Sequence, residues 1–264
     1  MNAKEPQIGF DKAALVADLA ALGVAAGDVL MVHSSLSAIG PVEGGADTVI
    51  DALLGALGPD GTLVMPAFRD SIDLPGHVTE APEQVLAEAA ALTPPFEIGA
   101  TPTTMGLIPE TFRRRSGVRR SPHPTTSITA FGPQAEALTA AHSIPWATGR
   151  ETPFELLHEW DAKFLLIGVG FNRLTMLHYA ETLSPHHRKK TRLDPVDGAF
   201  VLAPDVGDDL GVHFPALGLK ACAEGIVEEG LIGVAPSKLT RARPIVALGR
   251  DYLDKALSGA PQDG

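Results

Sequence analysis

Between Asp28 and Pro66 lies the pattern that most restricts how this chain can fold. Asp28-Val29-Leu30-Met31-Val32-His33 is an apolar run of strand length, and Thr62-Leu63-Val64-Met65-Pro66 is a second. Glycines 40, 44 and 45 lead into a helical stretch, Ala46 to Leu57, where Val49, Leu53 and Leu57 keep the 3.6-residue period. Gly58-Pro59-Asp60-Gly61 is a strong turn before the second strand. A strand–helix–strand unit returns the chain to the same end of the sheet, so the two strands pair in parallel. The fold class expected is α/β.

The rest of the chain continues the alternation. Asp11 can cap a first helix with Leu15, Leu19 and Leu22 on one stripe, ended by Gly23. Arg69 to Thr101 is long and rich in proline and acid, with one helical stretch, Glu83 to Ala91; such loops are usually lids or disordered. Thr104 to Arg115 reads as a helix, Ile128 to Phe131 as a strand, and Gly132-Pro133 as the start of another helix. Thr152-Pro153-Phe154-Glu155 is a capping box with proline at the first helical position, predicting a helix to Trp160. Phe164 to Val169 is a strand, and a helix is expected from Arg173 to Leu183. Ala199 to Leu202 reads as strand, Phe214 to Glu229 as helix, and Pro244 opens a last helix. There is no repeat and no linker, so one domain over residues 1–264 is expected.

Charge and cysteine narrow the function classes. The formal net charge of −11 disfavours nucleic acid and anionic membrane as partners and suits a cationic ligand. No apolar stretch reaches the length that crosses a bilayer, and MNAKEPQIGF lacks the basic-then-apolar signal layout, so a cytoplasmic protein is expected. Cys222 is the only cysteine, which removes intrachain disulfides and thiolate metal clusters; it reads as a small core residue rather than a nucleophile.

Candidate chemistry gathers where the strand ending at Gly168 meets the next helix. Thr175, His178 and Glu181 recur every three residues along one side of it. A carboxylate one turn from an imidazole can fix its tautomer and stabilise its cation, as a general base requires. The same spacing equally fits a surface histidine in an ordinary salt bridge. Ser34-Ser35-Leu36-Ser37 sits between strand and helix, where free N–H groups and hydroxyls can meet phosphate or amide oxygens, although a plain polar turn reads as well. Ser121-Pro122-His123-Pro124-Thr125 is a proline-stiffened loop. His186-His187 with Arg188-Lys189-Lys190 is a basic loop rather than a metal site, since no third ligand and no H-E-x-x-H accompany it. No G-x-S-x-G elbow is present, which weighs against a serine hydrolase. Asp205, Asp208 and Asp209 form an acidic loop that could also hold an ammonium group.

Six ordered blocks resemble the aminoglycoside 3-N-acetyltransferase family. They are Val32-His33-Ser34-Ser35-Leu36-Ser37 through Gly45, Gly61 to Pro66, Met105 to Arg113, Arg120 to Thr125, Leu165 to Gly170 with Leu177-His178-Tyr179-Ala180-Glu181, and Ile232 to Ala235. The resemblance implies an α/β fold with a mixed β-sheet flanked by helices. It implies acetyl-CoA as co-substrate without a metal, and a polycationic aminoglycoside as acceptor. His33, Ser34, Ser35, Leu36 and Ser37, with His123, Pro124 and Thr125, would contact the donor. His178 would be the catalytic histidine, helped by Glu181 and Thr175, and Asn172, Glu181, Asp205, Asp208 and Asp209 would face the acceptor. Neither nucleic acid nor membrane is expected as a partner; a homodimer is left open. Three departures stand out: Asn172 where relatives often carry Asp, Leu174 where they carry Asn, and a longer segment from Arg69 to Pro95. Rival readings are an acyl-CoA-dependent N-acyltransferase for another amine, a CoA-binding protein without turnover, and more remotely a metal hydrolase.

Overall fold

In the computed structural model, which describes residues 9–186, 189–206 and 212–258, Asp11 does cap the first helix. Its side chain accepts from the Ala14 N–H, and Gly23 ends the helix in left-handed backbone at φ 104°. This helix, α1 (Lys12–Leu22), leads to β1 (Val29–Ser34), a single turn α2 (Leu36–Ile39), then α3 (Ala46–Leu57) and β2 (Thr62–Pro66). β1 and β2 pair in parallel, with Val29 opposite Thr62. The opening unit is as the sequence predicts.

The 69–101 segment carries more structure than its composition suggests. After β3 (Ile72–Pro75) comes α4 (Glu83–Leu92), and Arg69 ties the segment down by donating to the Pro94 and Pro124 carbonyls. The helix expected from Thr104 begins only after Gly106, as α5 (Leu107–Arg113). β4 (Arg119–Arg120), β5 (Ile128–Phe131), α6 (Ala135–Thr139) and α7 (Pro153–Glu159) follow. Thr152 Oγ1 accepts from the Phe154 N–H, while the Glu155 carboxylate reaches back to the Glu151 N–H, one residue beyond the position that a closed capping box would use. β6 (Lys163–Ile167) runs to Gly168, a 3₁₀ turn occupies Phe171–Arg173, and α8 (Met176–Leu183) begins later than the predicted Arg173.

The C-terminal third departs most from expectation. β7 (Lys189–Val196) and β8 (Ala199–Val206) form an antiparallel hairpin, and β3 pairs with β7 to complete a small three-stranded sheet. α9 (His213–Ala223) stops well short of Glu229, because Gly225 turns the chain at φ 69° into β9 (Val227–Ile232). β10 (Ala235–Arg241) and α10 (Ala242–Leu257) end the described chain.

Among the described residues, the main sheet runs β4-β5-β2-β1-β6-β10-β9. Its centre, β2-β1-β6, is parallel, and antiparallel strands flank it on both sides, so the sheet is mixed. Alternation sorts the core. Met31, Val64, Phe164 and Leu166 pack under α6 to α10, while Leu30, Val32, Leu63, Leu165 and Ile167 pack under α1, α3 and α5. Central strands buried on both faces read as continuous apolar runs, which is why β1, β2 and β6 were the legible ones. No helix among the described residues is long and apolar enough to cross a membrane.

Candidate active site

β1 and β6 lie side by side in parallel, with His33 opposite Leu166 and Ser34 opposite Ile167. From β1 the chain crosses to β2 on one side, whereas β10 and β9 lie on the other side of β6. The crevice beyond the carboxyl ends of β1 and β6 is therefore the place where an α/β sheet offers a ligand site. Gly168 makes the exit from β6 workable: it sits at φ 63°, and a Cβ there would lie 2.2 Å from that of Ala38 in α2.

The coil after Gly168 aims the candidate base. Leu174 leaves helical backbone at ψ 86°, and the bonds from Leu174 N to Phe171 O, Leu177 N to Leu174 O and His178 N to Thr175 O tie the 3₁₀ turn to α8 across it. Three-residue spacing then brings His178 Nδ1 within 3.0 Å of Glu181 Oε2. The Glu181 side chain is 2% exposed and that of His178 is 27% exposed. The imidazole rests on the Phe214 ring of α9, with centroids 4.8 Å apart. A buried carboxylate accepting from Nδ1–H leaves the Nε2 lone pair on the outward edge, the tautomer a base needs. Thr175 is buried at the N-cap and its hydroxyl does not cap the helix. Asn172 is exposed on the 3₁₀ turn.

The Ser34–Ser37 segment presents a mixed set of groups. Ser35 N donates to Ile167 O, and the Ser35 and Ser37 hydroxyls are 3.1 Å apart. Leu36 packs into the core below α3. Ser34 Oγ and His33 Nε2 are buried and have no hydrogen-bond partner. Both residues line a cleft of about 280 Å³ with Pro66, Met105, Val169 and Arg173. Burial, then the Arg173 cation, brings the His33 pKa down to about 3, so this imidazole is neutral.

The His123-Pro124-Thr125 loop is held from behind. His123 is fully buried; its Nδ1 accepts from the Thr125 and Thr126 N–H groups at 3.2 and 2.9 Å. Thr125 Oγ1 donates to Asp194, whose other oxygen accepts from Arg192 Nε at 2.8 Å. His142 Nε2 donates to Ala147 O, and the Ser121 hydroxyl donates to its Nδ1. Burial first, then His142 and Arg192, push the His123 pKa far down, and burial brings that of His142 to about 4. Burial raises the Asp194 pKa against the pull of Arg192. Of the three loop residues, Pro124 lines a cavity, one of about 390 Å³ shared with Phe96 and Phe200.

Asp205 requires a correction. It does not lie in an acidic loop but near the end of β8, where it is buried and ion-paired with Arg192. That carboxylate already has its cation. Asp208, Asp209, His187 and Arg188 lie outside the described residues, and Lys190 pairs with Asp73 at 2.9 Å. Cys222 is part-buried on α9 with its thiol pKa raised by burial, which fits a packing residue. Among the described residues, no group of three or more His, Cys, Asp or Glu side chains could hold a metal ion. Sequence reasoning missed Arg173, Arg192, Asp194 and His142. The strand-like alternation Arg192-Leu193-Asp194 was the available signal for two of them.

Comparison with known proteins bears on family and fold. The sequence model for aminoglycoside 3-N-acetyltransferase matches residues 31–254. Aminoglycoside N(3)-acetyltransferase III of Serratia marcescens is 36% identical over 271 residues, covering 94% of this chain and 98% of its own. The solved AAC-IIIb, in binary complex with CoASH, aligns with a TM-score of 0.81 at 32% identity over 96% of this chain and 99% of its own. AAC-VIa bound to sisomicin aligns with a TM-score of 0.84 at 32% identity over 96% of this chain and all of its own.

Proposed function

Because this chain belongs to the aminoglycoside 3-N-acetyltransferase family, an acyltransferase family, we propose a specific reaction and a base for it. The chain transfers the acetyl group of acetyl-CoA to the 3-amino group of the 2-deoxystreptamine ring of an aminoglycoside, with His178 as general base. The observation that carries the assignment is the 3.0 Å bond from His178 Nδ1 to the buried Glu181 carboxylate, with the opposite edge of the ring left for substrate. The relatives solved with CoASH and with sisomicin support the two substrate classes.

The amine attacks as its neutral form, since an ammonium has no lone pair. As the N–C bond forms, His178 Nε2 takes a proton from that nitrogen and Glu181 stabilises the imidazolium. The tetrahedral intermediate then breaks its C–S bond. The CoA thiolate leaves and recovers a proton from the imidazolium, which restores neutral His178. A positioned imidazole contributes roughly 10²–10⁴-fold to such a step. The chain's net charge of −11 favours a polycation, and Arg173 beside the cleft at His33 suits the anionic donor better than the acceptor.

The test is thiol release from acetyl-CoA with gentamicin-like, neomycin-like and apramycin-like acceptors, with mass analysis of the product. Release that depends on an aminoglycoside, with one acetyl group on the 3-amine, is expected. Release with other amines alone would replace the acceptor, and tight acetyl-CoA binding without turnover on any amine would replace the reaction. His178→Ala should lower kcat at least 100-fold with little change in the Kd of acetyl-CoA. Turnover within a few-fold of normal would remove His178 as the base.

A further inference from the structure

Acyl transfer requires a donor aimed at the thioester oxygen, where negative charge develops. His33 meets the structural demands of such a group. It is the last residue but one of β1 at the switch-point crevice, is 6% exposed and lines the cleft, and its buried Nε2 has no hydrogen-bond partner. A buried imidazole nitrogen without a partner is destabilising, and a ligand atom would supply the missing bond. Strand alternation puts His33 on the sheet face of Met31 and Leu166, the same face that α8 and α9 cover. The cleft also includes Arg173, on the 3₁₀ turn that precedes α8, the helix carrying His178.

We infer that His33 is a catalytic residue of this acyl transfer: its Nε2–H donates a hydrogen bond to the thioester oxygen of the donor, and the bond strengthens as that oxygen becomes an oxyanion. The inference rests on the acetyl-transfer reading above. Burial and Arg173 keep the ring neutral, so it acts as a fixed dipole that undergoes no proton transfer of its own. Arg173 adds positive potential on the same side of the cleft. It also makes the cleft a poor seat for an aminoglycoside's ammonium groups, which assigns it to the acyl donor. The Thr175 hydroxyl, which the family resemblance sets beside the catalytic histidine, sits at the start of α8 and provides the comparison.

The experiment pairs kinetics with ligand binding. His33→Leu, which removes the donor, should lower kcat 10²–10³-fold, the usual loss for one oxyanion donor, and His33→Gln, whose amide N–H can stand in for Nε2–H, should lose less; the Kd of CoA, which has no acetyl carbonyl, stays within about threefold in both. Thr175→Val should lower kcat far less. If CoA Kd and acetyl-CoA KM rise together while kcat holds, His33 only binds the donor and the inference is overturned. A kcat within fivefold of wild type in both folded variants overturns it too. Should neither variant fold, the wild-type protein decides. The Nε2–H proton resonance of His33 should move downfield with a non-hydrolysable ketone analogue of acetyl-CoA and stay put with CoA; the same shift with both ligands, or with neither, overturns the inference. Loss of all CoA binding by the wild type would instead remove the functional reading beneath it.

Discussion

At the scale of single residues, the Glu181 carboxylate decides what His178 can do. Glu181→Gln keeps the volume, but the amide can turn its NH₂ toward Nδ1 and make that nitrogen an acceptor. The proton then moves to Nε2, where the base needs a lone pair. The expected result is a kcat loss of roughly 10²–10⁴-fold with the Kd of CoA unchanged, measured by stopped-time thiol release and calorimetry. Turnover within threefold of wild type would show that the carboxylate does not set the tautomer. The His178–Glu181 pair was legible in the sequence because i,i+3 neighbours on a helix meet whatever the rest of the fold does. Asp205 was not. Its partner Arg192 lies on the adjacent strand, and which residues face each other across β7 and β8 is a matter of register, which no local pattern reveals.

At the scale of elements, α9 is a platform for the segment that carries the proposed base. Phe214 supports the His178 ring, and one turn later Gly218 receives the Phe171 ring from the 3₁₀ turn. A Cβ at Gly218 would lie 2.0 Å from Phe171 Cδ2, so even alanine has no room. Gly218→Ala should therefore cost about 1–3 kcal/mol by overpacking, against the few tenths that alanine usually gains inside a helix. Because Phe171 shifts with the turn that carries Arg173 and Thr175, kcat should fall as well. Denaturant melts and initial rates on the same preparation check both; an alanine variant that is more stable than wild type would show that α9 and the 3₁₀ turn do not pack this closely. β1, β2 and β6 were legible because both of their faces are buried, and α1 and α7 because a side chain caps each. β9 is an edge strand whose inner residues Glu228 to Leu231 are exposed, so its sequence carries no alternation to read. Among the described residues, β3 pairs only with β7, more than a hundred residues away, and lies inside a stretch whose prolines and acids resemble a loop.

At the scale of the whole molecule, the buried histidines set how the protein answers acid. His33, His123 and His142 are neutral inside the fold, and the pKa values of His33 and His142 are lowered to about 3 and about 4. In the unfolded chain each takes up a proton near pH 6.5, so below that pH the unfolded state binds more protons and stability falls as pH falls. The sign is opposite to that of a histidine paired with a carboxylate. Glu110 is different: burial alone would raise its pKa, but bonds from Arg113, Thr103 and Arg114 outweigh that and bring it to about 2, so its contribution is lost only below about pH 4.5. Between pH 6.5 and 4.5 the imidazoles therefore dominate. Each withdraws about 1.4 kcal/mol by pH 5.5, or about 4 kcal/mol for the three, a large share of the stability of an ordinary domain. Urea melts at pH 7.5, 6.5 and 5.5 should show this steepening loss. His142→Gln, which can still accept from Ser121, should flatten it by about a third even if it is less stable at pH 7.5. A stability that is level across that range would mean that the three imidazoles are not buried as neutral groups, and the fixed neutral dipole assigned to His33 would lose its footing with them.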